Sequence, residues 1–241
     1  GGSTGRYGFG DVQWMTAGSG LQHSEMFPLV NQDKPNRLDL FQIWINLPAK
    51  DKMTEPGYEM IWAHEVPHIQ LADGDVRVIS GTWNEHTAPP APSASWANNP
   101  DNEVALYILT VKAGGSVELP AASSDANRMM YHINGGIATV ESHKLKPTYG
   151  MELHADRPTI INAGKEDVRV LILQGKPIAE PVSKHGPFVM NTVEEIYQAF
   201  SDYRRTEFGG WPWGPSDIVH PREQGRFAMM GDGRNIVPPQ S

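Results

Sequence analysis

The sequence predicts an all-β protein built as two barrel or jelly-roll domains, followed by one helix and an extended tail. Three observations lead there. The chain carries 24 glycines and 20 prolines among 241 residues, a turn-rich composition that breaks helices and suits short strands. Short apolar runs bounded by Gly, Pro, Asn and Asp recur along most of its length, as in sandwiches and barrels. The pattern occurs twice, on either side of residues 86 to 102 (HTAPPAPSASWANNPDN), a stretch without periodicity whose composition cannot bury a core and reads as a linker.

Those features predict a first domain over 1–85, the linker over 86–102, a second domain over 103–180, and a strand, helix and tail over 181–241 packing back on the body. Residues 1 to 10 read as a glycine-rich loop. Leu38 to Asn46 is apolar on nearly both faces of an extended chain, the pattern of a strand buried within a sandwich. Tyr58 to Ala63 and Val76 to Gly81 are further strands, the second entered through the Asp73-Gly74-Asp75 turn. Beyond the linker, strands are expected at Glu103–Val111, Ser116–Leu119, Met129–Ile133, Ile137–Glu141, Thr159–Asn162 and Val168–Leu173. Asn134-Gly135-Gly136 is expected to close a hairpin between the third and fourth of these.

The single convincing helix starts at Thr192. The Thr192 hydroxyl and Glu195 have capping-box spacing, and Val193, Ile196, Tyr197 and Phe200 recur at helical intervals as a packing face. Residues 209 to 241 read as an extended tail anchored by Trp211 and Trp213.

Charge and composition exclude several functions. A formal net charge of −8 disfavours direct contact with nucleic acid or an anionic membrane. The absence of cysteine removes disulfides, thiolate metal sites and cysteine nucleophiles. No apolar run reaches the roughly 20 residues that cross a bilayer, so a cytoplasmic protein is expected.

The stretch with chemical content is residues 10 to 25 (GDVQWMTAGSGLQHSE). On an extended strand His23 and Glu25, two apart, would share a face, aiming an imidazole and a carboxylate at one point. That is half of a mononuclear metal site suited to iron, manganese, nickel or zinc; on spacing alone, a surface hydrogen-bonded pair is the commoner outcome. His64 and His68 have a helical metal spacing, but Pro67 between them argues against a helix. His132, His143 and His154 read as satisfied surface or edge histidines, and His185 as an organiser of local backbone. His86 and His220 lie in proline-rich segments with no chemistry beside them.

The run GDVQWMTAGSGLQHSE, the segment from Phe41 to Met53 (FQIWINLPAKDKM) and the segment from His185 to Thr192 (HGPFVMNT) together resemble the pirin family of bicupins, in order and across nearly the whole chain. The resemblance implies two cupin domains, the first holding one mononuclear non-haem iron through three histidines and one glutamate. His23 and Glu25 match the second half of that ligand set. The first half, a His-x-His pair, matches nothing in these 241 residues, so the expectation is either a fragment of a longer protein or a first cupin that is incomplete, without its first strands. Leu119-Pro120-Ala121 and Asn162-Ala163-Gly164 stand where a second cupin would carry ligands, implying a second domain without metal. The implied activity is a quercetin 2,3-dioxygenase type of reaction on a small flavonol or enolic aromatic substrate, with Glu25 as ligand, base, or both. The alternative is a non-enzymatic, redox-sensing metal protein that docks a protein partner, as in transcriptional co-regulation.

Overall fold

The computed structural model describes residues 2–27, 29–217 and 219–239. Gly1, from the expected N-terminal loop, Pro28, and three residues of the expected tail, Ile218, Gln240 and Ser241, lie outside the described residues. The chain forms two compact units, one from residues 1–62 with 179–241 and the other from residues 63–178.

The first unit opens with β1 (Thr4–Arg6), β2 (Val12–Thr16) and β3 (Gly57–Ile61). β2 and β3 form a two-stranded antiparallel sheet with Trp14 opposite Glu59. Leu38 to Asn46, expected as a buried strand, is neither a strand nor buried: Leu38 is 63% and Trp44 58% exposed. Alternation prepares two faces for burial, but a strand also needs a neighbour for its N–H and C=O groups. Among the described residues no strand pairs with this segment.

The second unit contains β4 (His68–Leu71), β5 (Gly74–Ser80), β6 (Thr82–Trp83), β7 (His86–Thr87), β8 (Ala105–Val111), β9 (Ser116–Leu119), β10 (Asn127–Gly135), β11 (Ala138–Val140), β12 (His143–Leu145), β13 (Gly150–His154), β14 (Thr159–Ala163) and β15 (Val168–Gly175). They assemble into a six-stranded sheet, β13-β10-β15-β8-β5-β4, and a four-stranded sheet, β12-β11-β14-β9. Inward residues of both sheets meet in one core. Val76, Leu109, Met130, Val170 and Ile172 come from the first sheet, and Leu119, Val140 and Ile161 from the second. Strict alternation makes this possible: β5 reads buried and half-buried in turn along all seven residues, one face per sheet side.

Residues 86–102 lie within this second unit. Two short 3-10 turns, Trp96–Asn98 and Pro100–Asn102, are capped by Ser95 and Asn99. The Trp96 indole N–H donates to the Lys176 carbonyl at 2.9 Å. Ala88 joins the core of the unit and Ala91 is buried, while the polar remainder of the segment is fixed by side-chain caps and one indole anchor.

Asn134-Gly135-Gly136 does not close a hairpin. β10 pairs with β13 and β15, whereas β11 lies in the other sheet, so this turn carries the chain from one sheet to the other. Gly135, at φ +102°, would place a Cβ 1.9 Å from the Asp167 carbonyl oxygen, and the Gly136 N–H donates to that same oxygen. The close approach permitted by glycine keeps residues 134 and 135 in the β15 ladder instead of folding them back on β11.

The chain then returns to the first unit through β16 (Ser183–His185), β17 (Phe188–Met190), α1 (Val193–Thr206), β18 (Phe227–Met229) and β19 (Asn235–Ile236). The expected capping box is present at Thr192 and Glu195. Ile196 is buried and the Phe200 ring stands edge-on to Phe188 at 4.8 Å. Val193 and Tyr197, expected on the packing face, are 52% and 69% exposed; one aromatic wedge and one isoleucine suffice to seat this helix. The loop expected at residues 1–10 and the tail expected at 209–241 instead form a three-stranded sheet, β1-β18-β19. Arg6 accounts for the pairing: its guanidinium donates to the carbonyls of His220, Pro221, Arg222 and Gln224, gathering the tail onto the N-terminal strand.

Candidate functional site

Residues Gly18 to Phe27 leave β2 without forming a strand, so the shared strand face expected for His23 and Glu25 does not exist. Two glycines cause the departure. Gly18 lies at φ +50° and Gly20 at φ +126°, both in the left-handed region that favours glycine, while the Ser19 N–H donates to the Thr54 carbonyl.

The segment is then held by side chains. Gln22 donates to the Glu207 carbonyl at 2.6 Å, Ser24 donates to the Ser216 carbonyl at 2.6 Å, and Arg222 donates to the Leu29 carbonyl at 3.2 Å. Phe208 lies directly over Gly20, where a Cβ would come within 2.5 Å of the ring. Glu207 and Phe208 hold φ values of 49° and 50°, costly for non-glycine residues. The chain beyond α1 therefore bends sharply to lay its aromatic ring on a glycine of the segment carrying the candidate residues.

Glu25 is half-buried and His23 exposed. The Tyr7 hydroxyl donates to Glu25 Oε1 at 2.6 Å, a charge-assisted contact that fixes the carboxylate. Burial, reinforced by Glu25, pushes the Tyr7 hydroxyl well above the usual phenol range, so it remains a donor at any physiological pH. Tyr58, on β3, is also raised, chiefly by burial with a smaller push from Glu25, and it accepts from Gln13 Nε2 at 3.4 Å. The result is a carboxylate beside two protonated phenols. Among the described residues nothing hydrogen-bonds Glu25 Oε2, which leaves that oxygen able to accept from a bound hydroxyl.

Sequence reasoning found Glu25 but missed Tyr7, Tyr58 and Gln13. Tyr7 precedes Glu25 by 18 residues in a turn-rich segment, and no periodicity links such positions.

Among the described residues, no three His, Cys, Asp or Glu side chains converge on a point. Mononuclear centres take three or four protein donors, so His23 and Glu25 do not by themselves fit the iron site that the resemblance implies. His64 and His68 do not form a pair either: His68 Nε2 is 2.8 Å from Asp75 Oδ1 across the β4–β5 ladder. His132 departs from its expected surface role. It is 1% exposed, with Nδ1 3.0 Å from the Leu145 carbonyl and Nε2 3.1 Å from the Asn134 carbonyl. His185 packs edge-on against Phe200. Among the described residues no helix is long and apolar enough to cross a membrane.

Comparison with known proteins gives this geometry a context. The family model for pirin matches residues 1–45, and that for the pirin C-terminal cupin domain matches residues 106–209. A pirin-like protein of Caulobacter vibrioides is 36% identical over 211 residues, 86% of this chain and 71% of that protein. Human pirin is 32% identical over 86% of this chain and 68% of its own length. A Pseudomonas aeruginosa protein provisionally named a quercetin 2,3-dioxygenase is 33% identical over 86% of this chain and 70% of its length. The chain thus spans 66 to 71% of the first curated relatives it matches. Among solved structures, quercetin 2,3-dioxygenase from Acinetobacter baumannii superposes with a TM-score of 0.65 at 24% identity, over 83% of this chain and 67% of that one, which establishes the cupin-type all-β fold. With motifs, fold and relatives in agreement, the chain belongs to the pirin family.

Proposed function

We propose that this protein takes part in a dioxygenase reaction of the quercetin 2,3-dioxygenase type, on a small flavonol-like or enolic aromatic substrate. The names of its relatives support the reaction class and a metal cofactor; the metal proposed here is a mononuclear non-haem iron. On this reading His23 and Glu25 would be two of its ligands; the steps below use only this chain's own residues.

The observation that carries the reading is the Tyr7–Glu25 hydrogen bond. A substrate hydroxyl that must lose its proton before reacting needs a positioned acceptor. Tyr7 holds Glu25 by one oxygen, leaving the other to take the hydroxyl proton, and the raised Tyr7 and Tyr58 hydroxyls do not compete as bases.

The test is oxygen uptake with quercetin by the iron-loaded protein. Glu25→Gln is expected to lower turnover by ~10²–10⁴-fold, the usual worth of a positioned acid or base. Tyr7→Phe should cost ~10–100-fold, as for groups that orient a reacting residue. Full turnover in Glu25→Gln would end the proposal. Absence of turnover in the iron-loaded wild type would favour the second reading, a redox-sensing metal protein that docks a protein partner. The exposed Leu38, Leu40, Phe41 and Trp44 are the observation favouring that reading.

A further inference from the structure

Arg128 sits near the start of β10, on the face that also turns Met130 and His132 inward. It is 3% exposed, yet among the described residues it forms no ion pair. Its Nε and Nη2 donate to the single amide oxygen of Gln174, at 2.9 and 2.5 Å, and Nη2 donates also to the Pro120 carbonyl at 2.8 Å. Nη1 is buried and bonds nothing among the described residues.

The nearest source of negative charge is committed elsewhere. Glu103 faces Lys176 Nζ at 3.4 Å through Oε1 and accepts the Ser123 N–H at 2.9 Å through Oε2. Tyr107, the other charge-bearing neighbour, stays protonated because burial pushes its hydroxyl up to about 12, and it donates to the Thr82 carbonyl. A guanidinium keeps its charge even when buried, and a buried charge without a counter-charge is costly. Neutral acceptors offset part of that cost; an anion at Nη1 would offset the rest.

We propose that Arg128 anchors a small-anion site inside the second unit, and that the ligand is a small monocarboxylate gripped end-on by Nη1. The fixed geometry selects the class. With Nε and Nη2 engaged, the side-on, two-pronged grip that guanidinium offers to phosphate or sulfate is closed, and only the two N–H groups of Nη1 are open. Pro120, whose carbonyl accepts from Nη2, also borders an open cleft of about 320 Å³ together with Trp83, Asn84 and Ser116, and with the carboxylates of Asp73 and Glu118. Those two acids disfavour a polyanion on this side more strongly than a monoanion. This site is independent of the oxygenase reading.

The experiment is thermal melting of the full chain in sodium acetate, set against acetamide plus sodium chloride at equal ionic strength. Acetate is expected to raise Tm saturably by ~2–4 °C, and Arg128→Lys, which keeps the charge but loses Nη1, should abolish the rise. Equal melting in the two solutions, or an undiminished acetate effect in Arg128→Lys, overturns the proposal. Should that variant fail to fold, wild-type crystals grown in sodium formate decide it. Formate within hydrogen-bond distance of Nη1 supports the site, and a water molecule there overturns it.

Discussion

The two units are stabilised in different ways. In residues 63–178, Leu109, Leu119, Met130, Ile161 and Ile172 are fully buried between two sheets, and packing of that kind is worth ~1.5–3 kcal/mol per large side chain. In residues 1–62 and 179–241 the sheets have two or three strands, and large side chains such as Phe9, Leu38 and Trp44 are exposed. Directed polar ties hold this unit: Arg6 on four tail carbonyls, Arg226 on Asp11 at 2.7 Å, and Glu180 Oε2 accepting from both the Ala49 N–H and Asn191 Nδ2. Even Lys52 is buried there, its amine lowered by desolvation despite Glu180 and Glu195 and donating to Asn46 at 2.7 Å. Packing tolerates no gaps but needs no partner by name. Polar ties are specific and fail one at a time, which suits a unit whose candidate residues lie on a strap rather than a strand.

This contrast can be tested by removing one element of each kind. Leu109→Ala should be the most damaging change, costing about 3–5 kcal/mol because the rigid two-sheet core cannot collapse around the cavity; denaturant melting measures it, and a loss below 1 kcal/mol would mean the second unit is not close-packed. Arg6→Ala should cost about 1.5–3 kcal/mol through charge-assisted bonds, seen as accelerated amide exchange in β1 and β18 with the β8 and β15 amides unchanged. Equal acceleration in both places would erase the distinction. Thr192→Ala removes one cap and should cost about 1 kcal/mol, read by the same exchange in the first turn of α1.

The smallest effect concerns pH. Burial, with a lesser contribution from Arg6, lowers His220 below its ordinary 6.5, and Thr4 Oγ1 lies 2.9 Å from its Nε2. The unfolded chain therefore binds the proton more readily than the folded one, and stability falls as pH drops below about 6.5 toward the folded value. Exchange at Thr4–Arg6 should quicken over that range in the wild type and stay flat in His220→Gln. A rise in protection on acidification would reverse the assignment.

Much of the second unit was legible because its signals are local. Ser116–Leu119 is a strand with the expected bounds, and Thr192 with Glu195 marks the start of α1. Alternation reports which residues will be buried in a sheet, but carries no information on which strand lies alongside. Leu38 to Asn46 has the pattern and lacks the neighbour; Thr4–Arg6 lacks the pattern and acquires one more than 200 residues away. The candidate site divides in the same way: Glu25 stood out beside His23, whereas Tyr7, which fixes its carboxylate, carried no mark.

The sequence by itself determined β5, β8, β9, β10, β11, β14 and β15 of the 63–178 unit, the capped helix and membership of the pirin family, since each is written in neighbouring residues. Only the tertiary structure decided that Gly135 leads between sheets instead of around a hairpin, that Tyr7 reaches Glu25, and that Arg128 is buried without a counter-ion. Those outcomes depend on which surfaces meet after long loops close, and such meetings leave no periodic trace in the chain.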